Sequence, residues 1–151
     1  MAAVQLESTL VGVAGEYFVA AELSLRGFLA TVTLRNSRGI DIIASNATAS
    51  KTVSIQVKAN KNGKASWILN KKSESFFSEN HFYVFVALHP LGYRPDFYIV
   101  PSLEISNYTS KSHSEWLSGT KKDGSERKDS NMRIFKDSEQ KYKEQWEVLG
   151  L

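Results

Sequence analysis

The segment IQVKANK, residues 55–61, combines an amide, cationic side chains and a strand-like pattern. Its apolar and polar residues alternate, which predicts a β-strand with one buried face. The other face then carries Gln56, Lys58 and Asn60, since alternate side chains of a strand point the same way. This face is either an ordinary solvated surface or a place where an oxygen ligand and a cation act together.

A second polar residue, Asp41, lies in the apolar segment GIDIIA. Aspartate is depleted from strands and is costly to bury alone, so its carboxylate needs a partner. The small polar loop SNATASK that follows predicts a hairpin between this segment and IQVKANK. Pairing that is symmetric about the loop places Asp41 opposite Gln56, with Lys58 on the same face. A one-residue slip or a bulge would separate them.

An aspartate beside an amide oxygen is a candidate site for a hard divalent cation such as Mg²⁺. Such a cation can activate water for attack, and a neighbouring lysine can stabilise charge that develops on a phosphate. The substrate that matches these groups is a phosphodiester. The alternative for Asp41 is a structural carboxylate bonded to a nearby turn.

The elements that must position these residues follow from periodicity and turn residues. The pattern is a helix, a run of strands and further helices, which predicts an α/β or α+β domain. Asp137 is predicted to cap the last helix. The expected strands are 28–34, 40–44, 53–59, 65–69, 82–88, 96–100 and 132–135, and the expected helices are 6–26, 73–79, 103–117 and 137–149.

Composition narrows the class of protein. The 151 residues predict a single domain, 1–151, in which the polar segment 119–131 is a mobile loop. The chain has no cysteine, which excludes disulfides and thiolate metal sites and is compatible with the cytoplasm, where we expect the protein. No signal peptide or membrane-spanning run is evident. The net charge of +3 permits a nucleic-acid partner without requiring one.

The ordered segments GEYFVAAEL, RGIDIIA and IQVKANK resemble the PD-(D/E)XK nuclease superfamily, and most of all its Holliday-junction resolvases and small restriction-like nucleases. In that family a first helix carries a glutamate, and a hairpin supplies an aspartate and an acid-x-lysine triplet. The resemblance covers roughly the first 60 residues. It implies that Asp41 is the metal-binding aspartate, Lys58 the lysine and Glu16 the helical glutamate. Gly12 and Gly15 favour Glu16 over other helical acids, because glycines allow the backbone to approach its neighbours closely.

The resemblance implies a restriction-endonuclease-like fold, with a mixed central sheet of about four or five strands flanked by helices. It also implies a metal-dependent endonuclease that hydrolyses DNA, branched or foreign, in repair, recombination or restriction. Mg²⁺ or Mn²⁺ would be held by Asp41, Gln56, Glu16 and the backbone carbonyl of Val57. Lys58 would assist the attacking water.

The departure from the family pattern is Gln56, which stands where the second acid usually stands. The loss of one negative charge predicts weaker metal affinity. Two alternatives therefore stay open. The chain is either a catalytically inactive nucleic-acid-binding module, or a nuclease subunit that needs a protein partner for target recognition. A homodimer also stays open.

Candidate nucleic-acid contacts follow the proposed catalytic strand. They are Lys61, Lys64, Asn60 and Arg38. Phosphate contacts require cationic groups on one surface rather than a particular motif. A run of lysines crowds this region, and a solvated charged face explains it equally well; the run comprises Lys51, Lys61, Lys64, Lys71 and Lys72.

Overall fold

The computed structural model describes residues 5–34 and 39–151. The predicted DNA contact Arg38 lies outside these residues. The elements, in chain order, are α1 (Ser8–Leu25), β1 (Leu29–Val32), β2 (Ile42–Ser45), β3 (Thr52–Asn60), β4 (Ser66–Asn70), a 3₁₀ helix (Lys71–Glu74), β5 (His81–Ala87), β6 (Asp96–Pro101), α2 (Ser102–Ser118), β7 (Met132–Lys136) and a second 3₁₀ helix (Trp146–Leu149).

The main sheet has five strands in the order β1-β2-β3-β5-β6. Its neighbours pair antiparallel except for β3 and β5, which are parallel. The predicted mixed sheet of four or five strands is therefore confirmed. Strands β4 and β7 were also predicted, and they form a separate two-stranded antiparallel sheet.

Two hydrophobic clusters lie on opposite faces of the main sheet. Val19 and Leu23 of α1 pack with Ile55 of β3 in the first cluster. The second cluster joins Tyr83 and Phe85 of β5 to β4, β7 and α2. Every residue of β5 is buried, as expected for a strand covered on both faces. Alternation along β3 therefore directs Gln56 and Lys58 toward the second cluster and away from α1.

Helix α1 comes unusually close to β3 at one glycine. A Cβ atom built on Gly15 would lie 2.7 Å from Cβ of Ala59 and 3.4 Å from Cγ1 of Val57. The same construction at Gly12 meets no atom within 4 Å. The close approach inferred from the sequence is thus made by Gly15 alone of these two glycines. It places the next residue, Glu16, over the strand that carries Lys58.

The C-terminal helix predicted after Asp137 is wrong. The carboxylate of Asp137 instead accepts hydrogen bonds from the Lys141 amide (3.0 Å) and the Tyr142 amide (2.9 Å). Positive φ values at Gln140 and Glu144, both 57°, interrupt any helix there. Residues 142–144 lie along the edge of β6, and only the short 3₁₀ helix follows. Pairing with the sheet edge outweighs the helical pattern.

The helix predicted at 73–79 is also displaced. It is one 3₁₀ turn, Lys71–Glu74, which begins where β4 ends. The Asn70 side chain accepts a hydrogen bond from the Lys72 amide and so starts the turn early. The segment 119–131 contains a turn closed between Thr120 and Glu126, and its mobility stays a prediction. No helix in the described part of the chain is long and apolar enough to cross a membrane.

Candidate active site

Asp41 lies where β2 and β3 begin to separate. The two strands pair from Ile42 with Ile55 to Ser45 with Thr52, which is the register predicted from the hairpin loop. The ladder ends before Asp41, whose amide donates to the Ile55 carbonyl at 2.8 Å. The Val57 amide donates to Oδ2 of Asp41 at 2.7 Å. The carboxylate therefore accepts from a β3 backbone group at the point where the ladder has stopped.

The carboxyl of Asp41 has opposing influences on its protonation. Burial raises its pKa above the ordinary value, while the Val57 hydrogen bond, the charge of Lys58 and a side-chain hydrogen bond with Glu16 lower it. The net direction is upward. Desolvation thus dominates over the three groups that favour the anion. A carboxyl with a raised pKa that lies beside a cation and a second carboxyl is common in catalytic sites.

Glu16 is half-buried on α1 and reaches Asp41 from the helix side of the sheet. The close approach of Gly15 to β3 makes this reach short. Lys58 projects from the other face of β3 but is near enough to act on the charge of Asp41. The structure therefore brings Glu16, Asp41 and Lys58 together around the Val57 backbone.

Gln56 and Lys58 line a small cavity of about 120 Å³ on the opposite side from α1. The wall of this cavity also includes four residues from other elements: Asn70, Lys72, Phe76 and Tyr83. Of these four, Lys72 was weighed only as one of a run of lysines, and the other three were not predicted as site residues. The available signal was the pair Lys71–Lys72 directly after a predicted strand, which placed cations near the site without showing which one lines the cavity.

The predicted nucleic-acid contacts are dispersed. Asn60 uses its amide group to donate to the carbonyls of Lys64 (2.7 Å) and Ser66 (2.9 Å), which ties the β3–β4 turn. Lys61 donates to the Leu6 carbonyl at 3.2 Å, near the start of α1. Lys64 is exposed. Asn60 is the last residue of β3, and Lys61 and Lys64 follow it; none of the three lines the cavity beside Gln56.

The donor set at the separated strands consists of oxygens. The structure brings together the carboxyls of Asp41 and Glu16. The Val57 carbonyl and the Gln56 amide stay predicted ligands. Oxygen donors fit Mg²⁺ or Mn²⁺, and Mg²⁺ keeps several of its waters. The hydrogen bond between the two carboxyls marks a place where a cation would replace a shared proton. Across residues 5–34 and 39–151, no group of three His, Asp or Glu side chains could hold a metal.

No protein-family profile and no curated protein sequence matches the chain. Solved structures do match its fold. A bacterial homing endonuclease superposes with a TM-score of 0.52 at 16% identity, covering 97% of this chain and 94% of the other. The Holliday-junction resolvase Hjc of the archaeon Archaeoglobus fulgidus has a TM-score of 0.47 at 15% identity, covering 84% of both chains. The chain has the α/β fold of restriction-endonuclease-like structures.

Proposed function

We propose that the chain is a divalent-metal-dependent endonuclease that hydrolyses DNA phosphodiester bonds. The observation that carries this proposal is the position of the Asp41 carboxylate. It accepts from the Val57 amide where the strands separate, and it lies beside Glu16 and within the influence of Lys58. The similarity of the fold to that of a bacterial homing endonuclease supports the proposal.

The residues would divide the work as follows. Asp41 and Glu16 would hold the cation, with the Val57 carbonyl and the Gln56 amide as neutral oxygen donors. Bound Mg²⁺ would supply Lewis-acid chemistry by neutralising phosphate charge and lowering the pKa of water. Lys58 would orient the attacking water and stabilise the charge that develops on the phosphate. The Val57 amide keeps the Asp41 carboxylate in one orientation throughout.

The test is a cleavage assay on plasmid, linear and four-way-junction DNA with Mg²⁺ or Mn²⁺. We expect cleavage by the wild-type chain and loss of cleavage in both Asp41→Asn and Lys58→Ala, with folding checked by circular dichroism. Full activity in both variants would contradict the assignment. The preferred DNA shape would distinguish a resolvase from a general endonuclease.

A second candidate is a catalytically inactive DNA-binding module or a nuclease subunit that needs a partner. Gln56 favours it, because an amide replaces a carboxylate in the donor set and should weaken metal affinity. Such a protein would bind DNA with a steep salt dependence and show no metal-stimulated cleavage. Gln56→Glu is the informative variant. Cleavage gained only in this variant would favour the inactive module, whereas cleavage by the wild type favours the enzyme.

A further inference from the structure

The cavity beside Gln56 has the chemistry of an anion site. Lys58 reaches it from β3, and Lys72 reaches it from the 3₁₀ turn after β4. None of the described residues that line it is acidic. Lys58 also acts on the nearby Asp41 carboxyl, but the two ammonium groups still repel each other, so an anion between them would stabilise the arrangement.

The turn that carries Lys72 is firmly anchored. Ser73 is buried and donates to the Asn70 carbonyl at 2.8 Å. Glu74 accepts from Arg133 of β7 at 2.8 Å through its side chain, and from Ser106 of α2 through its backbone carbonyl. The position of Lys72 is therefore set by three separate elements and not by local helix propensity. A preorganised cation binds an anion with less loss of side-chain entropy than a free surface lysine.

Two aromatic side chains also line the cavity. The Lys72 ammonium lies 4.9 Å from the centre of the Phe76 ring, which holds it by a cation–π contact. Tyr83 pairs with Gln56 across the β3–β5 ladder and presents a phenol to the same space. Burial raises the pKa of Tyr83 to about 12, so its hydroxyl stays a neutral hydrogen-bond donor at physiological pH. The wall thus offers cations and neutral donors.

We propose that this cavity binds a phosphate of the nucleic-acid backbone, next to the phosphate attacked at Asp41 and Lys58. The volume of about 120 Å³ equals that of roughly four water molecules, which suits a tetrahedral group of four oxygens. Lys72 is then a binding residue that sets the register of the strand relative to the cation site. This inference rests on the proposed function, because it takes DNA as the substrate.

The experiment measures DNA binding in EDTA, where cleavage cannot occur. Lys72→Gln is compared with Lys71→Gln, which removes the same charge from an equally exposed neighbour that does not line the cavity. We expect Lys72→Gln to weaken binding about tenfold and to reduce the salt slope by about 1, as for the loss of one phosphate contact. Lys71→Gln should lose much less. Equal losses in the two variants would overturn the site, because the effect would then be general surface charge.

Two further measurements separate folding and ligand source. Lys72→Arg keeps the charge and should recover most of the binding, which excludes misfolding as the cause of the loss. Inorganic phosphate is added as a competitor at constant ionic strength. Displacement of DNA from the wild type that is absent in Lys72→Gln would show that phosphate and DNA compete for the cavity, as expected. Phosphate that raises the Tm of the wild type but not of Lys72→Gln, and that leaves DNA affinity unchanged, would overturn the backbone assignment. Because none of these measurements requires turnover, the cavity can pass them even if the endonuclease proposal fails.

Discussion

The Val57 amide donates a 2.7 Å hydrogen bond to Oδ2 of Asp41 across the gap where β2 leaves β3. The Asp41 carboxyl therefore has two roles. It satisfies a backbone donor of a buried strand, and it supplies negative charge beside Glu16 and Lys58. These roles can be separated by mutation, because an amide can accept the hydrogen bond but carries no charge.

Asp41→Asn should keep the fold and abolish metal-dependent cleavage. The raised pKa means that the native state holds the Asp41 proton more tightly than the unfolded chain does. Stability therefore falls as the pH rises from the unfolded pKa of this carboxyl through its folded pKa. The thermal midpoint of Asp41→Asn at pH 7 should equal or exceed that of the wild type.

Asp41→Ala is the matched contrast. It leaves the Val57 amide without its acceptor and should cost about 1–3 kcal/mol of unfolding free energy. Urea denaturation of both variants at pH 7 measures the difference. Equal stability of the alanine and asparagine variants would show that the hydrogen bond does not support the strand.

Gly15→Ala should destabilise the protein and impair the site. Its Cβ would lie 2.7 Å from Cβ of Ala59, so α1 must move away from β3. Overpacking of this kind costs about 1–3 kcal/mol. The shift also withdraws the adjacent Glu16 from Asp41, so cleavage should fall even at temperatures where the variant is fully folded.

Gly12→Ala provides the control for this prediction on the same helix. A Cβ there meets no atom within 4 Å, and alanine has the higher helix propensity. We expect a gain of up to about 1 kcal/mol in unfolding free energy and unchanged cleavage. A wild-type response from Gly15→Ala in both assays would contradict the proposed contact between α1 and the site.

Divalent cations should stabilise the folded chain. Binding to the native state alone adds about 2.7 kcal/mol when the cation is present at 100 times its Kd. Differential scanning fluorimetry with Mg²⁺, Mn²⁺ or Ca²⁺ against EDTA measures this as a rise in Tm. The rise should vanish in Asp41→Asn, and a rise of equal size in that variant would place the cation elsewhere.

Acid should weaken the fold through His81. This buried ring shares a 2.7 Å contact with Ser54, and burial lowers its pKa below 6.5. The unfolded chain then binds the proton more readily, so stability falls as the pH drops below about 6.5 toward the folded pKa. The slope from one proton is at most about 1.4 kcal/mol per pH unit.

Urea midpoints of the wild type and His81→Phe between pH 5 and pH 7 measure this effect. The phenylalanine keeps an aromatic ring against Phe76 and Tyr83 and removes the titrating group. We expect a flatter pH dependence in the variant. An unchanged profile would assign the acid sensitivity to other groups.

Local patterns were sufficient to predict the parts of the fold that depend on neighbours along the chain. Helix α1 ends at Leu25, just before the glycine that the sequence marks as its stop, and Gly27 has a φ of 84°. The hairpin of β2 and β3 has the register that its polar loop predicts. Because this hairpin is local, Asp41, Gln56 and Lys58 could be brought near one another from the sequence alone.

Only the tertiary structure decided which residues contact Asp41, Gln56 and Lys58. The contact of Glu16 with Asp41 depends on how closely α1 packs on β3. The place of Lys72 at the cavity depends on anchors from α2 and β7. The parallel pairing of β3 with β5 brings Tyr83 beside Gln56, although 26 residues separate them. The helix predicted after Asp137 failed for the same reason, since residues 142–144 pair with the edge of β6. Periodicity reports which face of an element is buried, whereas the partner of that face is set by contacts between distant segments.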